Sequence, residues 1–521
     1  MKQRPASIDY HYTRWLFLRV LAVVYLFAFA SLATQIVGLV GKQGILPAAN
    51  FLAQITAQAP AIPTIFWLNS SDFALSAACF AGIAFAVLAF FGITSVFSFA
   101  ALWLLYLSLV NIGQDFLSFQ WDILLLETGF LAIFLTPWQW LEWRTWKRAG
   151  QAPPLQSLSK IEAPLIMIWL LRWLLFRLMF ESGFVKLASG DPTWRNLSAL
   201  NYHYFTQPLP TPIAWYAAQL PDWFNQFSVM MVFAIELGVP FLIFCGRRAR
   251  LIAVFILIPF QILIAITGNY AFFNLLTIAL CICLLDDQWI DSGKLAWQFV
   301  GVALATRGRL PLQEEPAIVI SNDKKLLPLL KAQHMVSIAV AVLIGVLSIR
   351  AIARAIVSLP MPAFVEQLAD ISERYFIYNS YGLFAVMTTK RLEIQIEGSN
   401  DGLFWNEYEF KYKPGDLAQA PLIVAPLQPR LDWQMWFAAL SDFRNNPWFL
   451  NLVIRLLQSE PTVLKLLAHN PFPSQPPQYI RARLYDYSFT NCSERNKTGT
   501  WWRRKLVGDY LPIITLQDNA P

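Results

Sequence analysis

Residues 228–287 read SVMMVFAIELGVPFLIFCGRRARLIAVFILIPFQILIAITGNYAFFNLLTIALCICLLDD. Three apolar runs are separated by a basic turn, GRRAR, and by the polar turn GNY. About 20 apolar residues in helical form cross a bilayer core, and cationic loops mark the cytoplasmic side of such segments. The stretch therefore predicts consecutive membrane-spanning helices joined by tight turns. Working outward, comparable runs lie near 15–37, 64–92, 96–112, 121–137, 164–185, 228–245, 251–267, 270–286 and 334–357. The expectation is an α-helical multipass membrane protein whose residues 1–359 form about nine spans. The first run is too long for a signal-peptide core and reads as a retained anchor.

The composition agrees. Of 521 residues, 56% are hydrophobic and 14% charged, with a net charge of +7. That excludes a disordered chain and argues against a purely soluble enzyme, in which about a quarter of residues are charged. The positive charges sit beside apolar runs, so they speak for topology rather than for nucleic acid, and no nucleic-acid partner is expected. With a cytoplasmic N-terminus, sixteen Lys and Arg fall in inward loops and three, Lys42, Lys186 and Arg195, in outward loops. Arg350 and Arg354 lie near the outer end of the last span, where snorkelling to headgroups is preferred over an acidic partner.

Nine crossings place residues 360–521 on the extracytoplasmic side, and there the pattern changes. Residues 390–410 alternate around Ser399-Asn400-Asp401-Gly402, which predicts a hairpin. Residues 430–441 and 447–468 read as helices, and 478–489 and 501–513 as further strands. The expectation is a C-terminal α+β domain. Residues 303–325 read as a cytoplasmic linker. Of five cysteines, only Cys492 falls in the C-terminal domain, so no disulfide framework is expected there.

Ionisable groups within apolar spans are costly and mark function or pairing. Asp122 lies near the outer boundary, where water can reach it, while Glu127 lies deeper and needs a partner or a proton. Arg172, Arg177, Glu181 and Lys186 share one run; Arg177 and Glu181 are four apart and can pair along one face. The surplus positive charge could draw in Glu127 or Glu236, or bind an anionic ligand such as a lipid phosphate. The outward loop 187–227 carries Asp191, Tyr202, His203, Tyr204 and Gln207, and its many aromatics suggest an interfacial or re-entrant element. His203 is a candidate general acid or base, ranked behind a hydrogen-bonded structural histidine. Asn269 and Asn274, on the turn 268–274, could face this loop; a polar helix contact is the plain alternative. These residues form the candidate intramembrane polar site. No catalytic residue is assigned. The histidines lack metal-ligand spacing, and there is no Walker A loop, dinucleotide fingerprint or GxSxG elbow, so neither a metal nor a cofactor is expected.

The run from Trp169 through Pro221 resembles the lipase maturation factor family, as do QWDILLLETGFL (120–131), GNYAFFNLLTIALCICLLDD (268–287) and YNSYGLFAVMT (378–388). Similar strings follow in order: EGSNDGLFWNEYEFKYKPGD (397–416), PRLDWQMWFAAL (429–440), NPWFLNLVIRLLQ (446–458) and LLAHNPFP (466–473). The resemblance implies a multipass protein that assists the folding of secreted lipases, through a lumenal C-terminal domain, in the endoplasmic reticulum of animals. Bacteria also have members. The lack of a disulfide-capable cysteine set in 360–521 favours a bacterial inner membrane. The membrane part is also distantly similar to the multi-span region of vitamin K-dependent γ-carboxylases, which would make Lys186 or His203 a base. The leading expectation is a non-enzymatic maturation factor with membrane lipid and a client protein as partners. Exposed members among Trp433, Trp436 and Trp448 are its candidate client contacts. The alternative is an intramembrane enzyme, or a lipid-binding or transport protein, built on Glu127, Arg177, Glu181, Lys186 and His203.

Overall fold

A computed structural model describes residues 10–56, 62–138, 164–289, 326–357 and 361–516; the linker expected at 303–325 lies outside them. Each of the nine expected spans contains a helix. These are α1 (His11–Ala33), α2 (Asp72–Phe90), α3 (Ser95–Ile112), α4 (Gln120–Leu135), α5 (Leu165–Ala188), α6 (Asp222–Phe233), α7 (Arg247–Thr267), α8 (Phe273–Ile282) and α9 (Leu326–Val357). Among the described residues six helical stretches are long and apolar enough to cross a membrane: α1, α2, α3, Asp222–Phe244, α7 and Lys331–Arg354. Helix α5 has the length, 24 residues, but carries four charges. Helices α4, at 16 residues, and α8, at 10, are shorter than the roughly 20 that cross a bilayer core.

Local chemistry sets the helix ends. The span expected from residue 64 begins as a helix only at Asp72, where the Ser71 hydroxyl caps it by accepting from the Ala74 amide. Helix α6 passes into a π turn, Ala234–Gly238, and then 3-10 turns, Val239–Phe244. Gly183 on α5 permits that turn to approach, since a Cβ there would lie 2.9 Å from Glu236 Cβ. Gly82 likewise admits the Phe29 ring, 2.3 Å from where its Cβ would stand, and so seats α2 on α1.

After α9, helix α10 (Ala363–Arg374) turns back along the bundle. Its Glu366 accepts from both Arg350 and Arg354 at 2.8 Å. The acidic partner thus replaces the expected snorkelling. An irregular stretch, 375–390, leads to a four-stranded antiparallel sheet of order β2-β1-β5-β6. Its strands are β1 (Arg391–Ser399), β2 (Asn406–Glu407), β5 (Tyr479–Phe489) and β6 (Trp502–Ile514); β3 (Glu409–Phe410) and β4 (Leu467–His469) form a separate pair. The expected hairpin closes with Glu397 opposite Glu407. Helices α11 (Arg430–Ala438) and α12 (Pro447–Leu457) pack into the same core. The second is shorter than expected: it ends at Leu457, Ser459 takes a left-handed φ of +50°, and a separate turn of helix, Pro461–Leu464, precedes strand β4.

Asp432 on α11 is buried and its Oδ1 accepts the backbone amides of Tyr412 and Lys413 at 2.8 and 2.9 Å. Burial pushes its carboxyl up to about 6. A raised carboxylate stabilises the fold below its unfolded value, and that contribution is lost as pH rises through the folded value. Between about pH 4 and pH 7 the wild type should therefore lose about 2 kcal/mol relative to Asp432→Asn. Parallel melting curves for the two proteins in detergent across this range would exclude the assignment.

The C-terminal domain is bolted to one end of the bundle. Ser31 Oγ accepts the Gln428 amide at 2.9 Å, and Gln35 Oε1 accepts the Arg430 amide at 2.9 Å. Asn269 Oδ1 accepts the amides of Val424 and Ala425 at 2.7 and 3.0 Å. Arg391 on β1 donates to the carbonyls of Phe205, Gln207 and Pro208. It thereby satisfies the end of the short helix Ala199–Thr206.

Candidate functional site

The candidate polar residues separate into two centres and a set of fasteners. The first centre lies between α4 and α5. Glu127, fully buried, accepts from Arg177 Nη2, from the Asn379 amide and side chain at 3.0 Å each, and from the Tyr381 hydroxyl at 2.7 Å. Arg177 Nη1 donates to the Asn379 carbonyl at 2.8 Å, and its guanidinium lies 4.0 Å from the centre of the Tyr378 ring. The expected Arg177–Glu181 pair is therefore corrected: Arg177 turns to Glu127, and Glu181 accepts the Tyr381 amide at 2.8 Å. Gln120 Oε1 takes the next amide, Gly382, at 3.0 Å. The segment Tyr378-Asn379-Ser380-Tyr381 thus plugs into the bundle on a buried ion pair. The charges are legible in the sequence; the plug is not, because its four polar and aromatic residues have neither helical nor strand period.

The expectation that Asp122 is wet is also corrected. It is fully buried and both its oxygens are held by Arg430 of α11, at 2.8 and 2.9 Å, while the Tyr106 hydroxyl donates to Oδ1 at 2.5 Å. Arg430 also donates to the Phe116 carbonyl at 2.7 Å. Arg172 donates from Nε to the Cys283 carbonyl at 2.8 Å and lies against the rings of Tyr10 and Trp169. Asp191 accepts from Thr193 and from the Met387 amide at 2.7 Å, tying the loop to residue 387. Tyr202, half-buried, packs in a small cluster with Trp194 and Leu200.

The candidate client contacts Trp433, Trp436 and Trp448 face inward, with exposures of 3, 8 and 1%. Trp433 meets Trp121 edge-on at 4.7 Å, Trp448 meets Phe116 at 5.6 Å, and Trp436 Nε1 donates to the Thr206 carbonyl at 2.7 Å. Their rings form the seam between the C-terminal domain and the bundle, which removes them from a client surface.

The second centre is a cavity of about 700 Å³ between α5, α6, α7, α8 and the loop around residues 194–220. Lys186, His203, Tyr204 and Asn274 line it; Glu127, Arg177 and Glu181 are not among its lining residues. Lys186 Nζ donates to both Glu236 oxygens, at 2.9 and 2.7 Å, and to the Ser182 carbonyl at 3.0 Å. The π turn of α6 carries Glu236 into this position, which fits the frequent use of π bulges at functional sites. Gln207 Nε2 donates to the Thr267 carbonyl at 2.7 Å, so its Oε1 is free to accept the Tyr270 hydroxyl at 2.6 Å. The Tyr270 oxygen, its proton committed, accepts from His203 Nε2 at 3.0 Å. Burial and nearby Lys186 hold His203 down to about 4, so the ring is neutral at physiological pH. Asn274 donates to Gln261 at 2.9 Å. Tyr270 and Gln261 join the site only through contacts that the fold makes, Tyr270 with His203 and Gln207 and Gln261 with Asn274 on the next helix, and neither carries a charge that marks it in an apolar run.

The family description "Lipase maturation factor transmembrane domain" matches residues 12–292, and "Lipase maturation factor C-terminal domain" matches residues 377–512. Lipase maturation factor 2 of Xenopus laevis is 38% identical, over 98% of this chain and 83% of the relative. Lipase maturation factor 2 of Homo sapiens is 37% identical, over 97% and 83%. Lipase maturation factor 1 of Homo sapiens is 34% identical, over 98% and 89%. No solved structure matches the chain. Both parts of the molecule and nearly its whole length are shared with these relatives, and the chain belongs to the lipase maturation factor family.

Proposed function

We propose that this chain assists the maturation of an exported client protein, and that the client is of the secreted lipase class named by its animal relatives. The likeness to those relatives across bundle and C-terminal domain together carries the reading. The geometry suits a scaffold. Glu127, Arg177, Asp122 and Arg430 engage protein groups from both ends of the chain. Client contact falls to exposed apolar residues of the C-terminal domain, foremost Leu403 and Phe404 on the β1–β2 hairpin, each 78% exposed. Replacing both with serine should lower client yield severalfold while insertion and melting stay unchanged; normal yield would clear the hairpin of this role.

We further infer nine crossings, a cytoplasmic N-terminus and an extracytoplasmic domain over 360–521, on the strength of sixteen inward against three outward basic residues. The membrane would be the endoplasmic reticulum in an animal cell and the inner membrane in a bacterium. Translation into microsomes tests the orientation: Asn496, in an Asn-Lys-Thr sequon, should acquire a glycan, and its absence from a folded chain would reverse the topology. Gene deletion with quantitative proteomics and lipidomics tests the function. Loss of a few exported proteins with lipids unchanged is expected. An altered lipid or quinone species with exported proteins intact would instead make the charged membrane site an active site.

A further inference from the structure

The cavity beside α6 and α7 has a chemistry that client maturation does not use. Its volume, about 700 Å³, falls within the roughly 300–1,000 Å³ of small-molecule sites. Much of its wall is apolar and partly open: Phe227 and Met231 on α6 and Leu263 on α7 line it and are exposed. The stretch Asp222–Phe244, which α6 opens, and α7 both have membrane-spanning length and composition. A mouth framed by their exposed apolar side chains faces acyl chains, so the natural source of a ligand is the bilayer.

The polar lining selects the headgroup. All three N–H donors of Lys186 are committed, two to Glu236 and one to the Ser182 carbonyl. The pair is neutral and Lys186 has no donor left for a phosphate or carboxylate, which argues against an anionic head. His203 differs. Its Nε2–H is taken by Tyr270, so Nδ1 carries a bare lone pair, and that atom is buried without a partner. A buried acceptor left unsatisfied is costly, and a ligand that donates to it recovers the loss. A cationic donor would meet the ammonium of Lys186 nearby and lose its hydration in an apolar space. A neutral hydroxyl meets neither penalty.

We propose that this cavity takes up a neutral lipid alcohol from the bilayer, its hydroxyl donating to His203 Nδ1 and its chain lying along the apolar wall between α6 and α7. The site stands whether or not the chain matures lipases. The test uses the purified full chain in nanodiscs and three photoactivatable probes with the same diazirine-bearing chain: a monoacylglycerol, its analogue with both hydroxyls methylated, and the free fatty acid. The monoacylglycerol should label peptides within 222–267 about tenfold more than either control, the ratio that one buried hydrogen bond provides. An excess of unlabelled long-chain alcohol should compete it away. His203→Phe should reduce labelling to the control level. Met231→Trp, at the exposed mouth where folding is insensitive, should do the same by filling the entrance, and it decides alone if His203→Phe fails to fold. Equal labelling by all three probes, or labelling that survives Met231→Trp and a folded His203→Phe, would overturn the proposal.

Discussion

Replacement of Arg430 by alanine is expected to remove most folded protein from the membrane. The Asp122–Arg430 pair is buried on both sides, and it joins α4 to α11 across 308 residues of sequence. Removing the guanidinium strands a carboxylate that retains only the Tyr106 hydroxyl, and it also frees the Phe116 carbonyl. Breaking a buried pair in this way costs roughly 3–5 kcal/mol, against a total stability of about 5–15 kcal/mol for a typical domain. The same reasoning makes the double replacement Asp122→Leu with Arg430→Met milder than either single charge deletion, because no uncompensated charge remains. Abundance and melting temperature in detergent measure both effects. A single variant that melts like wild type, or a double variant worse than both singles, would contradict the role given to this pair.

The second large effect is expected at Arg177→Ala. Glu127 would keep its bonds from Asn379 and Tyr381 but lose its counter-charge in a fully buried position, again a cost of roughly 3–5 kcal/mol. The consequence should be local before it is global. The plug 378–381 is held by Glu127, Arg177, Glu181 and Gln120, so its release should raise hydrogen exchange across residues 375–390 ahead of the sheet. Arg177→Lys keeps the charge but cannot serve both Glu127 and the Asn379 carbonyl with the same fork, and it should fall between the two. Wild-type protection of 375–390 in Arg177→Ala would separate the plug from the ion pair.

Hydropathy located all nine helices because apolar length is a local property of the chain. The alternation at 390–410 and 478–489 was equally local and gave strands β1 and β5. What escaped was pairing at long range. Asp122 looked wet because its neighbours in sequence lie at a boundary; its partner is Arg430. The Arg177–Glu181 spacing allowed a pair, but Glu127 on another helix offered a more buried one with three further donors in place. The tryptophans of α11 and α12 carry the composition of an interaction surface, and they do form one, with this chain's own helices. Lys186 and Glu236 are both legible as charges in apolar runs, but the π turn that aims Glu236 inward leaves no mark in hydropathy. The tautomer of His203 depends on its chain of hydrogen bonds through Tyr270 to Gln207, a pairing across more than 60 residues that only the fold brings together.

As a lipase maturation factor, this chain is expected to serve a client on its way out of the cell. The most direct measurement is secretion of active lipase from animal cells that lack Lipase maturation factor 1, with and without this chain expressed in their endoplasmic reticulum. The chain should restore secreted lipase activity, and the Arg430→Ala protein should not. A chain that inserts, folds and reaches wild-type abundance while the lipase stays inactive and retained would contradict this expectation.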